Sequence, residues 1–221
     1  MESPVTVAAA YLADHRSIDI GRCISRGIDL VTNNIGLIVG GSAVACVVVF
    51  GLAFVPIVGW IAGLAIDPVI AAGLFMVCVR RLRGEQPAVG DVFALFNTHF
   101  MNLFVAGLLC LVLVSIGLML LVVPGVYLIV CYQFALPLVA DKNLEPWTAM
   151  EVSRRVVHAQ WFPMFALVVV AGIIACLGVL AVGVGVILTA PVAIASMAVA
   201  YEELFGTRGG TTTPLTTTAV P

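Results

Sequence analysis

The sequence has few charged residues. Asp, Glu, Lys and Arg make up 10% of the 221 residues, whereas soluble domains contain about 25%. A chain with so few charges cannot cover a globular surface with polar groups, so we expect lipid to solvate most of its surface. The net charge of −2 provides no positive field of the kind that nucleic-acid binding requires.

Sequence motifs with a known chemistry are also missing. The six cysteines form no CxxC pair and no cluster with histidine, which argues against a disulfide framework and a zinc site. The chain has no Walker loop, no HExxH, no GxSxG and no pair of intramembrane carboxylates. We therefore predict that the protein is not an enzyme and has no catalytic residues, no cofactor and no metal site.

Long apolar runs dominate the sequence. They lie at roughly 35–55, 57–79, 100–123, 125–140, 162–181 and 183–201. A helix of about 20 such residues crosses the hydrocarbon core of a bilayer. Consecutive runs are separated in pairs only by turns rich in proline and glycine, at 56–59, 124–125 and 183–185. The pattern predicts an all-α membrane protein with six transmembrane helices arranged as three hairpins.

The basic residues indicate how these hairpins are oriented. They are Arg16, Arg22, Arg26, Arg80, Arg81, Arg83, Lys142, Arg154, Arg155 and Arg208. None lies in a hairpin turn. Because positive charge resists translocation, we expect both termini and both long connections to be cytoplasmic. On this model Trp60 and Tyr127 mark the outer ends of the hairpins, and Trp147, Trp161 and Tyr201 mark the opposite ends.

Amphipathic segments precede the three hairpins. In 18–35, the apolar residues Ile20, Ile24, Ile28, Val31 and Ile35 recur at helical spacing. In 91–100, Asp91 caps an apolar turn, and in 144–161, Glu151 is four residues before Arg155. We predict helices that lie in the membrane interface and lead into the next span. The alternative is a solvated connector that is helical only by propensity.

These features form a weak threefold repeat. The repeats cover about 18–83, 88–142 and 144–205, and their returning helices carry Pro68, Pro137 and Pro191. The junctions near Asn34, His99 and Gln160 occupy equivalent places. Residues 1–17 are predicted to be a cytoplasmic segment rather than a signal peptide, 18–206 the membrane domain, and 207–221 a disordered tail.

Several short motifs carry a family resemblance. They are IDIGRCISRG at 18–27, VGDVF at 89–93, VVPGVYL at 122–128, ALPLV at 135–139, AMEVSR at 149–154 and AYEELFG at 200–206. Together they resemble an uncharacterised family of bacterial six-helix integral membrane proteins, related to the membrane domain of some glycerophosphodiester phosphodiesterases. The resemblance covers roughly 18–206 and implies this fold and a location in the bacterial cytoplasmic membrane. The phosphodiesterase domain has no counterpart in this sequence, so the resemblance does not imply that activity.

Asp67 is the one acidic residue outside the segments predicted to be cytoplasmic. Near the middle of a bilayer, a charged carboxylate costs about 3 kcal/mol on insertion scales. The residue is therefore a candidate intramembrane polar site for an ion or a proton, or a polar contact inside the bundle. Two other interpretations are a cap for a helix that restarts at Pro68 and a carboxyl group kept neutral by burial.

Small residues on two predicted spans are candidates for helix packing. Gly36, Gly40 and Gly41 lie on the first span, and Gly107, Ser115 and Gly117 on the third. They favour a non-catalytic scaffold, assembly or accessory subunit that contacts lipid and associates with other membrane subunits or with itself. The alternative is a small-solute or ion transporter or channel that uses Asp67. Transport of polar solutes usually requires several intramembrane polar groups.

Overall fold

The computed structural model describes residues 4–13, 18–53, 58–180 and 184–206. Every regular element in these ranges is helical, which confirms the all-α prediction. The helices are α1 (Pro4–Ala13), α2 (Ile20–Asn33), α3 (Ile35–Ala53), α4 (Val58–Leu82), α5 (Leu95–Thr98), α6 (Phe100–Leu120), α7 (Val122–Cys131), α8 (Ala135–Lys142), α9 (Pro146–Ala159), α10 (Trp161–Leu180) and α11 (Val184–Phe205). A 3₁₀ turn at Val89–Phe93 precedes α5.

Among the residues that the structure describes, three segments are long and apolar enough to cross a membrane. They are Ala62–Leu82, Phe100–Leu120 and Val122–Lys142, each of 21 residues. Two further pairs, α2 with α3 and α9 with α10, bend at a short break and raise the number to five if each pair counts as one span. The sequence predicted six. Residues 54–57 and 181–183, which include parts of the predicted turns at 56–59 and 183–185, and the predicted tail at 207–221 lie outside the described residues.

The right-angled junctions fall where the repeat pattern predicts them. The axes of α2 and α3 differ by 93° at Asn34, and those of α9 and α10 differ by 101° at Gln160. The Asn34 side-chain amide donates to the carbonyl of Leu30 at 2.9 Å, and the buried Gln160 accepts from the Ile18 N–H at 2.9 Å. His99 lies between α5 and α6. The Asn34 and Gln160 side chains satisfy backbone groups near the two ends of α2.

Local signals explain where several helices begin and end. The Asp19 carboxylate accepts from the N–H of Arg22 and caps α2. Pro146 occupies the first turn of α9, where its missing N–H has no helical acceptor. Just after α4 and α8, Gly84 (φ 83°) and Asn143 (φ 56°) adopt left-handed conformations that stop a helix.

The core lies where the second halves of α4 and α11 meet the start of α8. The Phe75 and Tyr201 rings contact edge to face with centroids 5.7 Å apart. Phe134, just before α8, lies 5.7 Å from Phe205 and 5.8 Å from Tyr201. All four rings are buried, and aromatic pairs at these distances add about 0.5–1.5 kcal/mol beyond burial. The three returning segments are thus held together by one aromatic cluster.

The buried face of α2 differs from the predicted one. Val31 is buried, as the predicted apolar stripe implies, and Ile20 and Ile24 are partly buried. Ile28 of that stripe is exposed, and Cys23 and Gly27 are buried beside it instead. The reason is a close crossing with α11: a Cβ on Gly27 would lie 2.8 Å from the backbone nitrogen of Ser196. The absence of a side chain at Gly27 lets the two backbones approach, as small residues do between membrane helices.

Tyr127 and Trp161 lie together, and the prediction that they mark opposite faces is wrong. Their rings stack with centroids 6.3 Å apart, and the Tyr127 hydroxyl is 3.0 Å from Nδ1 of His158. The cause is the course of α9, which packs along α7 and α8 rather than against the end of α8 alone. Its buried Ser153 hydroxyl donates to the carbonyl of Cys131 at 2.7 Å.

Candidate functional site

Four polar residues at the ends of the returning helices form one cluster, which we call the end cluster. Arg83 follows α4, Asp141 lies in α8, and Tyr201 and Glu202 lie in α11. The Arg83 guanidinium donates to both carboxylate oxygens of Asp141, at 2.6 and 2.9 Å, and through Nε to Glu202 at 2.8 Å. The Tyr201 hydroxyl donates to Asp141 at 2.9 Å.

The end cluster is partly screened from solvent. The Asp141 side chain is 7% exposed and that of Arg83 is 27% exposed. Hydrogen bonds to Asp141, and then to Glu202, raise the pKa of Arg83 above its ordinary value, so the guanidinium stays charged. Paired Arg–carboxylate forks are among the stronger charge-assisted hydrogen bonds. The arrangement joins all three returning helices, and we infer that its role is to hold them in register.

The sequence pattern did not predict this cluster. In the sequence, Arg83 is only a topology signal, and neither Asp141 nor Glu202 has a predicted partner. A usable signal was present, since each returning apolar run ends within a few residues of a charged side chain, at 83, 141 and 202. The repeat pattern places these three ends at equivalent positions, which is the condition for them to meet.

Asp67 lies inside the continuous helix α4, together with Pro68. The interpretation that Asp67 caps a restarting helix is therefore wrong, because the helix does not stop there. The Asp67 side chain is exposed at the surface of the chain. It lines a groove of about 470 Å³ between α4, α6 and α7. We call this the Asp67 groove.

The Asp67 groove also contains polar side chains from another segment. Tyr132 and Gln133, which follow α7, line the same groove as Asp67. The remaining lining residues are apolar or small: Leu64, Pro68, Ala71, Gly107, Leu108, Cys110, Leu111, Val114, Ile129 and Leu136. The sequence identified Asp67 but not Tyr132 and Gln133, because 65 residues or more separate them from it along the chain.

The predicted helix-packing residues fall into two groups. Gly107 and Gly117 lie at close contacts within the chain: a Cβ on Gly107 would overlap the ring of Pro68, and one on Gly117 would lie 3.1 Å from Cα of Gly125. Gly41 is buried beside Leu74 and Val92. The other three are Gly36, Gly40 and Ser115. Gly36 and Ser115 are exposed, and Gly40 is partly exposed.

Two more polar contacts fix the amphipathic helices. Glu151 on α9 accepts from both Arg154 and Arg155, at 2.8 and 2.7 Å. The second of these is the predicted pair at a spacing of four residues. Cys23 on α2 donates to Glu203 at 3.6 Å. Burial, aided by the charge of Glu203, raises the pKa of Cys23 to about 12, so its thiol remains protonated at neutral pH.

No group of three or more His, Cys, Asp and Glu side chains is placed to share a metal ion within the ranges that the structure describes. No protein-family model matches the sequence, and neither a curated protein nor a solved structure is significantly similar to it. Its apolar helices, long enough to span a membrane, indicate a membrane protein.

Proposed function

We propose that the chain is a non-catalytic subunit of a complex in the bacterial cytoplasmic membrane, where it acts as a scaffold, assembly factor or accessory subunit. The resemblance of 18–206 to bacterial six-helix membrane proteins supports this location. Three apolar spans give the protein a large surface for contact with lipid and with other membrane helices.

The uncovered face of α6 carries the proposal. In the apolar stretch of Phe100–Leu120, 17% of the residues are buried by the rest of the chain, compared with 56% in Ala62–Leu82. Leu111, Val112 and Ile116 are exposed on α6, and Ser115 is exposed among them. A small hydroxyl residue on such a face allows another helix to approach closely and to form a hydrogen bond. Gly36, with no atom of another residue near its missing Cβ, offers a similar surface on α3.

Native mass spectrometry in mild detergent tests the association. The wild-type protein is expected to retain a second copy or another membrane subunit. Ser115→Leu is expected to release that partner without a change in melting temperature, because Ser115 is exposed. As a matched control on the same helix, Gly117→Leu is expected to lower the melting temperature, since Gly125 leaves no room for a side chain. A monomeric wild-type protein without a retained protein partner contradicts the proposal.

The proposed topology has six spans in three hairpins, with both termini cytoplasmic. The packing of α3 with α4, α6 with α7, and α10 with α11 supports the pairing, and the one-sided basic residues support the orientation. Reporter fusions after Gly84 and after Arg155 are expected to report cytoplasm. Val123→Cys, exposed in the first turn of α7, is expected to react with a reagent added from outside.

A cytoplasmic Val123→Cys, or an exterior report from either fusion, contradicts this topology. The contact between Tyr127 and Trp161 makes the Val123 experiment the more informative one. Tyr127 is only five residues beyond the start of α7, or about 8 Å along a helix axis, yet it touches the first residue of α10.

A small-solute or ion transporter or channel is the second candidate function. The observation that favours it is the shared groove of Asp67, Tyr132 and Gln133, since intramembrane polar groups commonly mark transport pathways. A proton-coupled flux in liposomes that Asp67→Asn abolishes, with melting unchanged, supports this function. Equal flux in the wild-type and Asp67→Asn proteins contradicts it.

A further inference from the structure

The Asp67 groove contains more hydrogen-bond acceptors than donors. One acceptor is the Asp67 carboxylate. A second is the carbonyl oxygen of Leu64, which has no helical donor because Pro68, four residues later, lacks an N–H. Leu64 lines the groove and its side chain is exposed. The side-chain oxygen of Gln133 and the hydroxyl of Tyr132 add acceptor positions in the same groove. A ligand that supplies several N–H donors matches this set.

The groove supplies no positive charge for Asp67. None of its lining residues is Lys, Arg or His. In the ranges that the structure describes, no ion pair joins Asp67 to another side chain. A carboxylate among apolar side chains is stabilised as an ion when a cation lies beside it. A ligand that carries a positive charge would supply the counter-charge that the groove itself lacks.

The rest of the groove suits an apolar tail. Leu108, Leu111 and Ile129 line the groove and are exposed. An alkyl tail that packs against them exchanges contacts with lipid chains for contacts with these apolar side chains. The volume of about 470 Å³ is within the range of roughly 300–1,000 Å³ that small-molecule sites occupy. We propose that the Asp67 groove binds a primary ammonium group that carries an apolar tail. The three N–H donors of the ammonium group pair with Asp67, the Leu64 carbonyl and Gln133.

Calorimetric titration of the full chain in phosphatidylcholine nanodiscs tests the proposal. The probe is octylamine, which is a primary ammonium ion at neutral pH. Octyltrimethylammonium has the same charge but no N–H donor, and octanol has no charge. Empty nanodiscs measure the partition of each probe into lipid. After that correction, we expect saturable binding of one octylamine per chain, at least tenfold weaker binding of octyltrimethylammonium, and no saturable binding of octanol.

Three variants assign this binding to the groove. Asp67→Asn is expected to weaken octylamine binding at least tenfold, and Gln133→Leu is expected to weaken it less. Ser115→Ala, an exposed polar position on α6 that does not line the groove, is expected to bind octylamine as the wild type does. If Asp67→Asn does not fold, Gln133→Leu and the trimethyl probe decide the question with folded protein.

Several results overturn the proposal. They are octanol binding as tightly as octylamine, equal binding by Asp67→Asn and the wild type, and no saturable binding above empty nanodiscs. Nanodiscs that contain phosphatidylethanolamine distinguish two sources of the same chemistry: weaker apparent octylamine binding identifies the lipid headgroup as a competitor, and unchanged binding identifies a free amine. The site is separate from the proposed association, because partner retention depends on Ser115 and amine binding on Asp67.

Discussion

Replacing Arg83 by methionine tests whether the end cluster holds the three returning helices together. Methionine keeps much of the length of the arginine side chain but removes the guanidinium, so Asp141 and Glu202 lose their shared partner. Tyr201 still donates to Asp141, and Lys142 lies 3.4 Å from it. These remaining contacts limit the penalty without abolishing it.

The exposure of the two charges determines the expected size of the effect. Removing one partner of a fully buried ion pair costs about 3–5 kcal/mol, whereas an exposed pair contributes about 0–1 kcal/mol. Asp141 is nearly buried and Arg83 is about a quarter exposed, so we expect a loss of about 2 kcal/mol. For a chain of this length that corresponds to a decrease in melting temperature of about 4–8 °C.

Thermal unfolding in mild detergent, followed by intrinsic fluorescence, measures this change. The matched control is Arg80→Met, which removes the same charge near the same end of α4. Among the described residues, no salt bridge joins Arg80 to another side chain, and its replacement should change stability by less than about 0.5 kcal/mol. Arg83→Lys keeps the charge but lacks the planar guanidinium, so its melting temperature should lie between those of Arg83→Met and Arg80→Met. Equal melting temperatures for Arg83→Met and Arg80→Met refute the reasoning.

Three other predictions follow from the described contacts. Gly107→Leu should lower the melting temperature because its side chain overlaps Pro68, whereas Gly36→Leu should not. Hydrogen bonds from Arg154 and Arg155 lower the pKa of Glu151. The ionised Glu151 therefore stabilises the fold above its unfolded pKa of about 4.3, and this stabilisation is lost as the pH falls through the folded pKa. The difference in unfolding free energy between the wild type and Glu151→Gln, measured from pH 7 to pH 3, should vanish at the acid end. In a chain with the other cysteines replaced by alanine, Cys23 should resist maleimide at pH 7.5, while Ser25→Cys in a cysteine-free chain should react rapidly, because Ser25 is exposed; comparable rates contradict the buried thiol.

The helices were predictable from sequence because their signals are local. Apolar length predicted the three clear spans, and amphipathic spacing predicted α2 and α9. Asn34 and Gln160 each lie where an amphipathic pattern gives way to a fully apolar one, which predicted a junction at each position but not the angle of the bend. The buried face of α2 was not predictable in this way. It depends on the approach of Gly27 to Ser196, a contact across 169 residues that hydrophobic periodicity does not encode.

The candidate sites show the same division. The sequence identified Asp67 because a single acidic residue in an apolar run is locally unusual. It did not identify Tyr132, Gln133 or the partners of Arg83, because these contacts depend on how separate helices pack. The placement of Tyr127 failed for a related reason. The position of Tyr127 relative to Trp161 depends on how α9 packs along α7 and α8. The preference of an aromatic ring for the membrane interface does not predict that packing.

The end cluster also sets an order of assembly during synthesis. Asp141 follows Arg83 by 58 residues and Glu202 follows it by 119. At elongation rates of about 5–20 residues per second, the ribosome reaches Glu202 several seconds after Asp141. The ion pair between Arg83 and Asp141 can therefore form while α10 and α11 are still being made. When α11 follows, it adds Glu202 and the Tyr201 hydroxyl to this pair, so α11 packs on a surface that α4 and α8 already provide.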